Sequence, residues 1–190
     1  MQTIKIGEPL ASPDTLTVLY TTLHFSLKTR QTASQIWFRK DDKETSVDAT
    51  GCSDFFWFDN LNIGAVCARS GGLKQVWRLN IAESAWTQIA DFPVDVLTAS
   101  FSAKSRKLAF TAQVYSDGSL DTAAEFTAYA KENPESGVVY EELFVRHWDT
   151  YINPRTLEQL FVAHVDLDFK VSTPINVMKG TKLECPVYFS

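Results

Sequence analysis

Phe55-Phe56-Trp57-Phe58-Asp59-Asn60-Leu61-Asn62-Ile63-Gly64-Ala65-Val66-Cys67-Ala68-Arg69 reads as an apolar strand, a short polar turn and a second, buried strand. Asp and Asn reverse a chain because their side chains bond the backbone a residue or two further on. Residues 70–72 (Ser-Gly-Gly) then make a hairpin turn. Gln75-Val76-Trp77-Arg78-Leu79-Asn80 alternates polar and apolar, as a strand with one solvated face does. Residues 86–90 close the unit.

The plan recurs on both sides. Upstream, Ser12-Pro13-Asp14 starts a turn, residues 15–22 form a β-branched strand, residues 23–33 a longer hairpin arm and residues 34–40 the next strand. Downstream, residues 94–101 lead into the turn Ser102-Ala103-Lys104-Ser105-Arg106 and a strand over residues 107–115. The three turns begin near Ser12, Phe58 and Ser102, at offsets of about 45 residues, the period of a four-stranded propeller blade. A polar stretch over residues 117–136 interrupts the third unit. Residues 122–131 can form one short helix there, ended by Pro134. Strands over residues 138–148 and 160–165 follow. The expected fold is therefore all-β, an open, incomplete propeller of about four blades: 1–50, 51–92, 93–166 and an unfinished 167–190.

Composition agrees. Of 190 residues, 45% are hydrophobic and 13% aromatic, which excludes a disordered chain and favours half-buried strands. The formal charge of −5, without a basic run, excludes a nucleic-acid footprint and an anionic membrane surface as partners. Met1 to Asp14 lacks the apolar core of a signal peptide, so the expected location is cytoplasmic, or secreted if the N-terminus is incomplete. Cys52, Cys67 and Cys185 are an odd set without C-x-x-C spacing, expected as three reduced thiols. A Cys52–Cys67 disulfide is the alternative.

Val138-Val139-Tyr140-Glu141-Glu142-Leu143-Phe144-Val145-Arg146-His147-Trp148-Asp149 resembles a segment of the N-terminal propeller of dipeptidyl-peptidase V-like serine peptidases, in the prolyl-oligopeptidase family. The resemblance extends from Gly7-Glu8 to about Pro186. It implies a peptidase that removes dipeptides from free N-termini, with a propeller that covers the active site and admits only short chains. Its Ser-Asp-His triad would lie in a hydrolase domain. A nucleophile elbow needs G-x-S-x-G, and no two glycines here lie four residues apart. No triad is carried over, and the chain is expected to be inactive alone. Missing a signal peptide, it also departs from the secreted fungal members.

Arg146, His147, Trp148 and Asp149 are the candidate substrate-binding or domain-interface residues. In an extended strand Arg146 and Trp148 face one side, His147 and Asp149 the other. One reading puts Arg146 at the central channel or the domain interface, to pair a carboxylate. The other is an internal staple, with Trp148 in the inter-blade core and Asp149 bonded to a turn.

Other patterns carry less. His24, His147 and His164 lack metal-ligand spacing, and no cofactor is expected. Asp41-Asp42 and Glu141-Glu142 read as solvated charges. Asp166 and Asp168 make half a calcium loop, without the remaining ligands. Trp37, Trp57, Trp77 and Trp86 read as core residues rather than a sugar platform. The expected role is substrate gating in a serine exopeptidase, with peptides as partners through a hydrolase domain that these residues do not include. The alternatives are a standalone peptide- or protein-binding propeller module, able to oligomerise through open strand edges, and a carbohydrate-binding β-sandwich.

Overall fold

The computed structural model describes residues 4–69, 71–134, 146–147, 150–151, 153 and 155–185. Three antiparallel sheets, each a blade, follow one another along the chain. In blade 1, β1 (Ile4–Ile6) and β2 (Leu10–Ala11) both pair with one side of β3 (Thr17–Ser26); β4 (Gln31–Lys40) and β5 (Lys43–Asp48) follow outward. Blade 2 is β6 (Cys52–Trp57), β7 (Asn62–Cys67), β8 (Gln75–Asn80) and β9 (Ala85–Gln88). Blade 3 is β10 (Ala99–Ser102), β11 (Lys107–Val114), β14 (Leu157–His164) and β15 (Ile175–Asn176). Between β11 and β14 lie α1 (Leu120–Glu132) and the short pair β12 (Arg146–His147) and β13 (Thr150–Tyr151).

Strand alternation sorts the side chains of blade 2 between its two neighbours. Ile63 of β7 and Leu79 of β8 turn toward blade 1, where Leu19, Ile36 and Phe38 complete a buried cluster. Val66 and Val76 turn toward blade 3 and join Phe58, Phe92, Phe110 and Phe161. Each blade thus buries an apolar face that it cannot bury alone. Phe92 stacks on Phe110 at 4.4 Å, and Phe110 on Phe161 at 5.4 Å. The first strands β6 and β10 lie against each other.

Polar bonds lock the blades where the backbone would otherwise be orphaned. Trp57 Nε1 donates to the Leu10 carbonyl at 3.3 Å, and Trp86 Nε1 to the Asp48 carbonyl at 2.9 Å. Gln75 is buried at the start of β8. Its Nε2 donates to the carbonyls of Phe92 and Val94, each at 2.9 Å, and its Oε1 accepts from Phe92 N–H at 2.8 Å. One side chain therefore satisfies three groups of the connector into blade 3.

The helix forms where expected and runs slightly longer at both ends. Ser119 caps it by accepting from Thr122 N–H, and alanines fill its middle. Asn133 is the C-cap, just before Pro134.

Three expectations are corrected. The strand foreseen over residues 94–101 begins only at Ala99. Residues 167–190 do not all lie beyond the third blade: β15 pairs with β14, with Asn176 opposite Phe161, so this sheet runs past the expected boundary at 166. Cys52 and Cys67 are not reduced thiols but a disulfide. Its cause is local. Trp57 pairs with Ile63 and Phe56 with Gly64, but the register then shifts, so that Ser53 meets Val66 and Cys52 meets Cys67. Asp54, at φ 49°, lies in this bulge. Without the bulge Ser53, and not Cys52, would stand opposite Cys67.

The face of β3 and β4 turned away from blade 2 carries Val18, Tyr20, Thr22, Gln35 and Trp37, and no described strand covers it. The propeller is open. Among the described residues no helix is long and apolar enough to cross a membrane.

Candidate functional site

The turns after β6 and β10 and the loop after β14 meet at one end of the blade 2–blade 3 junction. The first turn is held by Asp59, whose Oδ1 accepts from the N–H groups of Leu61 (2.8 Å) and Asn62 (2.9 Å). The second ends in Arg106, at φ 50°. Arg106 Nε donates to the Val165 carbonyl at 2.8 Å and its Nη2 to the Asp166 carbonyl, which ties the β14–β15 loop to this turn. Asp166 Oδ1 accepts from the N–H groups of Asp168 (2.9 Å) and Lys170 (2.8 Å). The half calcium loop foreseen at Asp166 and Asp168 is thus a self-bonded turn.

That turn points Phe169 into the junction. Its ring meets Phe58 edge-on at 5.4 Å, and Phe58 meets Phe101 edge-on at 4.7 Å. Two guanidinium groups approach the same ring. Arg78, from blade 2, lies 4.5 Å from the Phe169 centroid; Arg106, from blade 3, lies 6.0 Å away. Cations are attracted to an aromatic face by its quadrupole. Among the described residues Arg78 has no carboxylate partner, since the one ion pair there joins Arg69 to Asp48. Its Nε is buried without an acceptor. The arrangement is a half-buried, uncompensated positive centre on an aromatic floor.

A second cation–aromatic node lies between blades 1 and 2. Arg69 stands 5.2 Å from the Trp86 ring and 6.0 Å from Trp77. Asp48 Oδ2 is 3.8 Å away, so this charge is matched. Trp57 and Trp86 pack on the buried cluster, as expected of core residues, whereas Trp37 stacks on Tyr20 at 6.1 Å on the open face.

A cleft of about 720 Å³ opens on the outer side of the junction, between residues 89–93, the start of α1 and residues 171–176. Asn176 Nδ2 donates to the Gly118 carbonyl (2.9 Å) and to Gln159 Oε1 (2.8 Å), fixing the helix start against blade 3. Beside it Asp117 accepts from Thr122 Oγ1 at 2.6 Å, which holds its carboxyl below the usual range.

Of the expected site residues, Arg146 pairs in register with Tyr151 and His147 with Thr150. Trp148 and Asp149 lie outside the described residues, as do Glu141 and Glu142. His24 is on blade 1 and His164 at the end of β14. Among the described residues no three His, Cys, Asp or Glu side chains converge as metal ligands. Sequence reading missed Arg78. The signal was present: Arg78 shares its strand face with Val76, which is fully buried, and so is an arginine on an inward face.

No protein-family model matches the chain. It is 26% identical over 133 residues to dipeptidyl-peptidase 4 of Giardia intestinalis, covering 61% of this chain and 18% of that protein. Among solved structures it is similar to Pyrococcus horikoshii acylaminoacyl peptidase, with TM-score 0.62 and 9% identity, over 92% of this chain and 25% of the other. It is also similar to the β-propeller domain of the trilobed protease of Pyrococcus furiosus, described as having an open velcro topology. There the TM-score is 0.53 and the identity 10%, over 91% of this chain and 43% of that domain. The chain thus spans under a fifth of its sequence relative and a quarter of the first of these structures.

Proposed function

We propose that this chain, a β-propeller portion of the prolyl-oligopeptidase family, gates peptide access to a serine hydrolase site carried elsewhere and performs no catalysis itself. The carrying observation is the agreement of likenesses in sequence and in fold: the relative in sequence is a dipeptidyl-peptidase, and the chain superposes on a quarter of an acylaminoacyl peptidase and on the β-propeller domain of a trilobed protease. On this reading the propeller, completed by further blades, is what keeps folded chains from the hydrolase site. The absence of a G-x-S-x-G elbow supports assigning the chemistry elsewhere.

The test is to incubate the pure 190-residue chain with a fluorogenic dipeptide substrate and with a fluorophosphonate that labels active serines. Neither turnover nor labelling is expected. Serine-dependent cleavage by the pure chain would overturn the reading. Peptide mapping of the native product should meanwhile extend past Ser190 into a serine hydrolase sequence.

The site of action is proposed from the Cys52–Cys67 bond. Structural disulfides persist in oxidising compartments, so this favours a secreted or lumenal location over the cytoplasmic one expected from residues 1–14.

A further inference from the structure

We propose that Arg78, seated on Phe169 at the blade 2–blade 3 junction, is a binding site for a carboxylate. The proposal holds whether or not the chain gates a peptidase.

A guanidinium is a permanent positive charge in a protein. Arg78 lies on the blade face that packs toward blade 3, opposite Gly64 and Thr87 in its sheet. The Phe169 ring lies 4.5 Å from it and removes water from one of its faces. The buried Nε has no acceptor. A charge placed so is costly unless an anion completes it.

Among the described residues no carboxylate pairs with it. Arg106, on the same ring, gives its Nε and Nη2 to backbone carbonyls and adds a second positive charge. Two acids of the loops that meet at this junction are bonded within their own turns. Asp59 accepts from backbone and from Asn62 Nδ2, and Asp166 accepts from backbone. Buried Nε leaves the two Nη groups as the edge a ligand meets. Two parallel N–H groups match the two oxygens of a carboxylate, and the ring fixes the plane in which they lie. The same fork can also hold a phosphate, so phosphate is the competing anion in the test. The carboxylate can come from a peptide C-terminus or from a small free acid.

The experiment follows the Arg78 Nε–Hε resonance of the 190-residue chain by NMR. The probes are Ala-Ala-Ala with a free C-terminus, the same tripeptide C-terminally amidated, acetate and inorganic phosphate. The free acid should shift the resonance and saturate, and the amide should bind at least tenfold more weakly. Acetate binding as well as the free acid would assign the site to small carboxylates. A tighter tripeptide would assign it to peptide C-termini. Arg78→Gln should abolish the binding, Arg78→Lys should weaken it, and Phe169→Leu should weaken it by loosening the stack. Thermal melts of each variant separate lost binding from lost fold, and the wild-type titration stands even if a variant does not fold. Equal binding of acid and amide, phosphate binding at least as tight as the free acid, no saturable shift, or unchanged binding by folded Arg78→Gln would each overturn the proposal.

Discussion

Gly64→Ala adds one methyl group and should destabilise the protein. Gly64 sits in the middle of β7, where a side chain would ordinarily help: glycine within a strand costs about 0.5–1 kcal/mol relative to alanine. Space decides the other way. A Cβ on Gly64 would come within 2.8 Å of Cδ2 of the Phe56 ring, and closer still to Cε2 and Cζ, where ordinary contact begins at 3.4 Å. The ring must retreat, and it is not free to. It meets Phe58 edge-on at 5.1 Å and Phe101 at 6.3 Å. Each such pair contributes about 0.5–1.5 kcal/mol beyond area burial, and overpacking a core costs about 1–3 kcal/mol. After the backbone gain, the net loss is about 1–2 kcal/mol, read as a lower urea midpoint at unchanged slope. Phe56→Leu in the same background removes the clashing ring atoms and should recover stability, giving a coupling above about 1 kcal/mol in the double-mutant cycle. A Gly64→Ala variant as stable as the wild type, or a cycle with no coupling, would refute the packing argument.

Gln75→Leu strands three buried backbone groups of the connector at Phe92 and Val94, each costing about 1–3 kcal/mol when unsatisfied, so equilibrium unfolding should show a loss above about 2 kcal/mol. Cys52→Ala with Cys67→Ala removes a cross-link of sequence separation 15, whose loop-closure value is about 3 kcal/mol. Wild type should lose this on treatment with dithiothreitol while the double variant should not respond, and a wild-type midpoint indifferent to reductant would contradict the bond. Asp117 has its pKa lowered from the 3.8 of a free carboxyl, first by the Thr122 hydroxyl and then by the Ser119 N–H. Its contribution to the start of α1 is therefore present above pH 3.8 and lost as pH falls through the lower folded-state value. Hydrogen exchange in the first turn should rise at acid pH, and Asp117→Asn should flatten that dependence; identical pH profiles would discard the assignment.

Much of the blade plan was legible because it is written locally. Alternation in Gln75-Val76-Trp77-Arg78-Leu79-Asn80 and turn residues at Ser12, Asp59 and Ser102 act within a few residues of themselves. The alanines of residues 122–131 and Pro134 marked the helix for the same reason, while its Ser119 cap emerged only in the structure. The disulfide was legible only as the alternative to free thiols. It depends on a one-residue shift between Ser53 and Phe56, and a strand's period of two makes any such shift decisive. The third blade's end was misplaced because β15 has only two residues, too few to show a period.

By itself the sequence determined the class of fold and its repeating unit, since both follow from short-range pattern, and it carried a resemblance to peptidase propellers in the motif over residues 138–149. Tertiary structure alone decided what each blade face meets. Arg78 and Phe169 are far apart in the chain and come together only because blades 2 and 3 pack face to face. The charge state of that junction is a property of two blades at once. No local pattern encodes it, because which carboxylates are already bonded elsewhere is settled only when the loops of both blades have closed.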